Sequence, residues 1–259
     1  MTLTVSMAFW RCQPYVNKAV ESVLTQSYSD LRLILVNDGD TPPHLQSHLA
    51  SDPRLTVLNL TENRGPYYCD AVVLAACDTE WFTIHASDDW SKPDRFATLM
   101  AATEGYDVVW GGSMHHKRRQ AQPRSVNFEL AATEDVLLHR GSIATGVFRT
   151  EAIRRAGAPH PEFRVAYDTM QVHLLCRAHR WRHLPTEYGY QRVWRSDSLT
   201  KAPATGMHSP VRQEARARRD ALWRRVIAAP QLEWPALLAP SLEMAAQVAS
   251  DAERLKAML

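Results

Sequence analysis

Over the first hundred residues, short runs of aliphatic and β-branched side chains alternate with stretches whose apolar residues recur three and four positions apart. Leu3-Thr4-Val5-Ser6-Met7-Ala8-Phe9, Leu31-Arg32-Leu33-Ile34-Leu35-Val36, Leu55-Thr56-Val57-Leu58-Asn59-Leu60 and Trp81-Phe82-Thr83-Ile84 have the length and composition of strands. Between them, the stretch Tyr15–Leu24 places Val16, Ala19, Val20, Val23 and Leu24 on one helical face. Residues 42–50 read as a second helix and Tyr68–Cys77 as a third, built of small residues. Such alternation has few physical solutions, because parallel strands need a crossover and crossovers are right-handed. A doubly wound, mostly parallel α/β sheet is expected, with helices on both faces. Its ligands would bind beyond the carboxyl ends of the strands.

The fourth strand runs directly into Ile84-His85-Ala86-Ser87-Asp88-Asp89-Trp90, with a turn forced at Ser91-Lys92-Pro93. Carboxylate oxygens at a strand end suit a hard divalent cation that bridges to the phosphates of a nucleotide. The plainer reading is an acidic turn capping the next helix, with Asp89 or Ser91 as its N-cap. His85 reads as a strand residue facing the core or a neighbour.

The 259 residues suffice for one large domain or a domain with a tail. With 45% hydrophobic and 22% charged residues and a net charge of +2, the composition asks for neither a nucleic-acid nor a membrane partner. No apolar run approaches the roughly 18 residues of a membrane span, and the N-terminus lacks a signal-peptide pattern. Cys12, Cys69, Cys77 and Cys176 form no C-x-x-C pair, so reduced, buried thiols in a cytoplasmic protein are expected.

In the second half, Val108-Val109-Trp110-Gly111-Gly112 reads as a strand. Thr150–Ala156 reads as a helix. Asp168 opens a helix through Val172, Leu174, Leu175 and Cys176. A linker at Lys201–Gly206 precedes a basic helix over 211–227 carrying Arg212, Arg216, Arg218, Arg219, Arg224 and Arg225. Two further helices are expected at about 231–246 and 247–258, broken by Pro235 and Pro240. This helix, or the run Lys117-Arg118-Arg119 with Arg124, would either face a polyanionic acceptor such as a nucleic acid or form an ordinary solvated face.

Four motifs, in order, resemble those of family 2 glycosyltransferases of the GT-A fold. Tyr15–Tyr28 is similar to the family's Y-L-x-x-A-I-x-S-V-L-x-Q-T-Y, and Val36-Asn37-Asp38-Gly39-Asp40 to its V-D-D-G-S. Asn63-Arg64-Gly65 resembles N-x-G, and Ser87–Arg95 resembles S-D-D-x-x-x-P-x-R. Arg140–Arg149 resembles the family's acceptor-side strand, Tyr167-Asp168 stands where the family has an E-D pair, and Tyr188–Thr200 resembles its closing loop. The resemblance implies a GT-A, Rossmann-like, mostly parallel twisted sheet flanked by helices over residues 1–205. Residues 1–100 would be the nucleotide-sugar half and 101–205 the acceptor and catalytic half, with 206–259 a helical C-terminal extension.

It also implies an inverting enzyme that moves one sugar from a nucleotide-diphosphate sugar, a UDP-sugar by preference, to an acceptor hydroxyl. Phe9, Trp10, Arg11, Asp38, Asn63, Gly65, Ser87, Asp88 and Arg192 would hold the donor, Asp38 by accepting the imino hydrogen of the base. Asp88 and Asp89, with His208 as a further candidate, would hold Mn2+ or Mg2+. Asp168 would be the general base. Plain core packing competes for Phe9 and Trp10, and helix capping for Asp168. The chain departs from the family at Ala86 and Tyr167, which replace acids, at Trp194, which replaces a His, and at Asp70, which replaces an Arg near the diphosphate. Arg64, Arg192, Arg195 or Lys201 would have to supply that charge. A nucleotidyltransferase acting on a sugar phosphate, or a sugar-nucleotide-binding protein without full activity, are the competing functions. The first glycine is Gly39, too late for the activating loop of the former.

Overall fold

The computed structural model describes residues 1–117, 120–124, 126–157 and 159–259. Arg118 and Arg119, the centre of the basic run, lie outside the described residues. In chain order the elements are β1 (Leu3–Phe9), α1 (Gln13–Leu24), β2 (Leu31–Asn37), α2 (Ser47–Ala50), β3 (Leu55–Asn59), α3 (Pro66–Ala76) and β4 (Trp81–Ile84). There follow β5 (Trp90–Ser91), α4 (Arg95–Ala101), β6 (Val108–Trp110), β7 (Ser113–Lys117), β8 (Gln120–Pro123), α5 (Phe128–Thr133) and β9 (Gly146–Arg149). The chain ends with α6 (Thr150–Arg155), α7 (Asp168–Ala178), β10 (Trp181–His183), β11 (Tyr190–Val193), α8 (Pro210–Ile227), α9 (Trp234–Leu237) and α10 (Leu242–Lys256).

The main sheet has seven strands in the order β10-β6-β9-β4-β1-β2-β3. All neighbours are parallel except β9, which runs antiparallel to both β4 and β6. The chain steps outward from β1 to β2 and β3, then returns to place β4 on the other side of β1. The ends of β1 and β4 therefore form the topological switch point, where a sheet of this kind leaves a crevice. A smaller sheet, β5-β11-β7-β8, stands beside it. Its strands escape sequence reading because they are short and polar: β5 is the pair Trp90-Ser91 and β8 is wholly exposed.

Helices cover both faces of the main sheet. One apolar cluster packs Val16, Val20, Phe96 and Leu99 against Leu3, Val5 and Leu33. The other joins Ile34, Val36, Phe82 and Trp110 to Tyr68, Val72 and Tyr167. Trp223, Val226, Trp234, Leu238, Val248, Ala252 and Leu255 belong to that same second cluster. The helices after residue 206 thus share the core, and Tyr68 donates a hydrogen bond to Asp251 at 2.8 Å across the contact of α3 with α10.

Three expected elements differ. Only Ser47–Ala50 of the helix expected at 42–50 forms, since Pro42 and Pro43 hold the chain extended before it. The strand expected from residue 140 begins at Gly146, after a 3-10 turn over Ile143–Thr145. At the C-terminus, the two expected helices are replaced by a short turn over 231–237 and one continuous helix, α10, capped by the Ser241 hydroxyl. No described helix is long and apolar enough to cross a membrane.

Candidate active site

The loop after β2 is built to hold its neighbours. Asn37 bonds Asn59 at the end of β3 and the carbonyl of Asp40. Asp40 in turn accepts the amide of Arg11 at 2.7 Å, fixing the turn after β1. Asp38 accepts from the Asn63 side chain and from the amides of Arg64 and Gly65, at 2.6 to 2.9 Å. Both oxygens are engaged and the residue is 2% exposed. Burial pushes its carboxyl up, against those two amides and Arg164. Gly39 (φ +68°) and Gly65 (φ +97°) carry the backbone through the left-handed region, and a side chain at Gly39 would strike the backbone of Glu62.

Several of the expected donor residues are engaged within the protein. Asp38 clasps the Asn63-Arg64-Gly65 turn and presents almost no surface to a base. Phe9 is 1% exposed and belongs to the core beneath the crevice, and Ser87 is 3% exposed. What the strand ends do offer is Trp10, half-buried, with the Arg11 guanidinium 4.6 Å above its ring. Arg64 turns away toward Gln247 on α10, and Asp70 is a core residue that accepts the Ser6 hydroxyl at 2.6 Å.

At the end of β4 the two adjacent carboxylates have different surroundings. Asp89 accepts the Tyr190 hydroxyl and the amide of Val193, each at 2.8 Å, and lies 3.8 Å from Arg192 Nε. It ties the loop to β11, and burial, followed by the Asp88 charge, pushes it up to about 7. Each oxygen of Asp89, expected as a metal ligand, thus accepts one hydrogen bond from β11. It does not cap the next helix: α4 begins after Asp94 and has no side-chain cap. Asp88 keeps 20% of its side chain exposed, and Arg195 Nε stands 3.1 Å from its Oδ2. His85 Nδ1 donates to the Ala86 carbonyl and Nε2 accepts from Ser91. Burial, reinforced by Arg95, holds its imidazole neutral with a pKa of about 3. His208 is exposed, and its carbonyl accepts a hydrogen bond from the Gln213 side chain. Among the described residues, no group of three or more His, Cys, Asp or Glu side chains could hold a metal ion.

Asp168 opens α7 without capping it. Instead the hydroxyl of Tyr67, on α3, accepts the amides of both Tyr167 and Asp168, at 3.1 and 3.0 Å. The preceding Ala166 is held at φ +68°, and its carbonyl accepts Arg219 at 2.9 Å. A backbone conformation that costs a non-glycine residue about 1–2 kcal/mol is thus locked from two sides. The Asp168 carboxylate has no hydrogen bond or ion pair among the described residues. Arg192 links it to the β4 end: burial works to lower the pKa of this guanidinium, but Asp89, Tyr190, Asp168 and Asp88 together raise it. The charges of all three aspartates therefore reach Arg192, which lies nearest Asp89. Tyr67 and Arg219 were not legible as site residues, because neither sits in a motif or near Asp168 in the chain.

The basic helix does not form a free cationic face along its length. Arg212 is 6% exposed and binds the carbonyls of Leu199 and Thr205, Arg219 binds Ala166, and Arg218 pairs with Glu162. These arginines thus brace the chain before α7 and before α8.

A family model described as Glycosyl transferase family 2 matches residues 4–157. The succinoglycan biosynthesis protein ExoO of Rhizobium meliloti is 28% identical over 100 residues, covering 38% of this chain and 28% of ExoO. An uncharacterized glycosyltransferase of Haemophilus influenzae is 23% identical over 110 residues, covering 41% and 34%. The matched segments thus span about a third of the length of these curated relatives. Among solved structures, S. aureus TarS 1-349 in complex with UDP-GlcNAc superposes with a TM-score of 0.62 at 16% identity, over 100% of this chain and 82% of that one. The mannosyltransferase PcManGT from Pyrobaculum calidifontis, in complex with GDP-Man and Mn2+, gives 0.55 at 17% identity, over 99% and 83%. At such identities the likeness establishes the fold, a mostly parallel GT-A sheet with flanking helices.

Proposed function

Because the chain belongs to glycosyl transferase family 2, we propose that it moves one sugar from a nucleotide-diphosphate sugar onto an acceptor hydroxyl, with inversion and with Asp168 as the general base. The observation that carries this reading is the Asp168 carboxylate itself. It is without a partner among the described residues, its backbone is held by Tyr67 and, through Ala166, by Arg219, and its charge reaches Arg192 beside Asp89. A single free carboxylate opposite a leaving-group site suits direct displacement. The acceptor oxygen bonds the anomeric carbon, the bond from that carbon to the phosphate oxygen breaks with its electron pair, and the hydroxyl proton passes to Asp168.

The donor lies at the switch point between β1 and β4, with the half-buried Trp10 ring available to stack on the base. A uracil nucleotide is favoured by the UDP-GlcNAc bound to TarS 1-349. The three side chains expected to hold a divalent cation do not converge: Asp89 is spent on Tyr190 and Val193, His208 stands exposed, and Asp88 faces Arg195.

The test is a panel of nucleotide sugars incubated with Mn2+, Mg2+ or EDTA, reading released nucleoside diphosphate. Asp168→Asn is expected to lower kcat by a factor of about 10² to 10⁴, with donor KM and the melting curve unchanged. Near-normal turnover of that variant would show that another group takes the proton.

A further inference from the structure

Asp88 occupies the position expected to hold a cation, yet its surroundings are those of an anion already neutralised. Arg195 Nε lies 3.1 Å from Asp88 Oδ2 and 3.5 Å from Asp197 Oδ1. One of its terminal nitrogens donates to the Cys12 thiol at 3.1 Å, and the guanidinium sits 5.4 Å above the Tyr15 ring. The side chain is 9% exposed, gripped by the start of α1, the end of β4 and the loop after β11. This is a fixed charge at the switch point, not a solvated arm. Its Nε–H, although close to Asp88, makes no hydrogen bond. The pair is held by charge and leaves one strong donor of a buried guanidinium unspent. A divalent cation on Asp88 would have to share that carboxylate with Arg195, like charge against like charge, with neither Asp89 nor His208 in place to help.

We propose that Arg195, anchored on Asp88, receives the negative charge that develops on the donor diphosphate, and that Asp88 positions this arginine instead of coordinating a divalent cation. The inference rests on the glycosyl-transfer reading above. As the carbon–oxygen bond to the diphosphate breaks, the electron pair leaves on the phosphate oxygen beside the guanidinium, while the acceptor proton goes to Asp168. A guanidinium suits this task because its planar fork matches phosphate oxygens. Held by Cys12, Asp88 and Tyr15 beforehand, it needs little reorganisation when the charge appears.

The experiment is calorimetric titration of UDP and of GDP into the protein, in EDTA and in Mn2+, with melting curves as the control for folding. The wild type is expected to bind one of the two nucleotides in EDTA within about threefold of its affinity in Mn2+. Arg195→Met should weaken that binding at least about tenfold in both conditions, since hydrogen bonds to charged groups are lost. Arg195→Lys should fall between, keeping the charge without the fork, and serves as the reporter if the Met variant does not fold. Asp88→Asn should stay insensitive to EDTA. Binding that EDTA abolishes, Mn2+ restores and Arg195→Met leaves unchanged would overturn the inference while keeping the glycosyl-transfer reading. Binding of neither nucleotide in either condition would overturn that reading and the inference with it.

Discussion

Tyr67→Phe removes one oxygen atom and tests whether the start of α7 is what aims the base. The Tyr67 hydroxyl accepts two backbone amides, from Tyr167 at 3.1 Å and Asp168 at 3.0 Å, where a capping side chain would ordinarily serve. The phenyl ring would keep its edge contact with Tyr167, centroids 5.9 Å apart, so packing is conserved and the change isolates the acceptor. Tyr167 is fully buried, and its amide would find no water in exchange; a buried donor left unpaired costs about 1–3 kcal/mol. Asp168 is half-buried and its amide can hydrate, so its share is smaller. A loss of roughly 2–3 kcal/mol in unfolding free energy by urea titration is expected.

The kinetic effect should be separate from that loss. Once the two amides are released, the first turn of α7 loosens and the carboxylate loses its fixed line to the acceptor. A misplacement on the order of 1 Å costs about 10²-fold in rate. Steady-state nucleoside diphosphate release should therefore show kcat reduced by roughly ten- to a hundredfold at an unchanged donor KM. A variant that is less stable yet turns over within about twofold of wild type would refute the positioning argument, as would a rise in donor KM at constant kcat.

Two other outcomes follow from buried groups. Burial pushes the Asp70 carboxyl up to about 7, with the Ser6 hydroxyl as its one favourable contact. Its folded pKa lies above the unfolded value, so the unfolded chain gives up the proton first and stability falls as pH rises from about 4 to 7, then levels off. Asp70→Asn can still accept from Ser6 and should raise the melting temperature at pH 8 but not at pH 4. The gain is bounded by about 4 kcal/mol, and an equal effect at both pH values would sink the argument. Trp10→Ala should raise donor KM about tenfold at constant kcat, because a base would lose its stacking face; a fall in kcat alone would place Trp10 elsewhere in the reaction.

What the sequence could and could not disclose follows from how far each determinant reaches along the chain. The β1 and β2 strands were legible because their burial is nearly continuous and they pair with each other, Leu3 opposite Leu31. The switch point was legible too, as it lies where the apolar runs of β1 and β4 stop. Asp88 and Asp89 were not distinguishable, since adjacent identical residues differ only in what meets them: Tyr190 and Val193 close on Asp89, while Arg195 closes on Asp88. All three partners come from β11 and the loop after it, about a hundred positions downstream, and no local pattern encodes which aspartate each will find. The arginines of α8 misled in the opposite direction. A run of like charge is read as a surface, but Arg212, Arg218 and Arg219 spend theirs on Leu199, Glu162 and Ala166.

These facts bear on the positions where the chain departs from the family pattern. Ala86, Trp194 and Tyr167 each remove an ionisable group expected near the donor or acceptor. Tyr167 compensates nothing electrostatically, being a fully buried phenol in the core, and leaves Asp168 as the carboxylate of its pair. Ala86 removes one negative charge and Trp194 one imidazole from a crevice that also contains Arg192 and Arg195. With one acid fewer and two guanidiniums seated on the remaining aspartates, the balance there shifts toward what a diphosphate would meet as protein-borne positive charge. Departures that look like losses, taken singly, are mutually consistent once Arg192 on β11 and Arg195 just after it are counted with them.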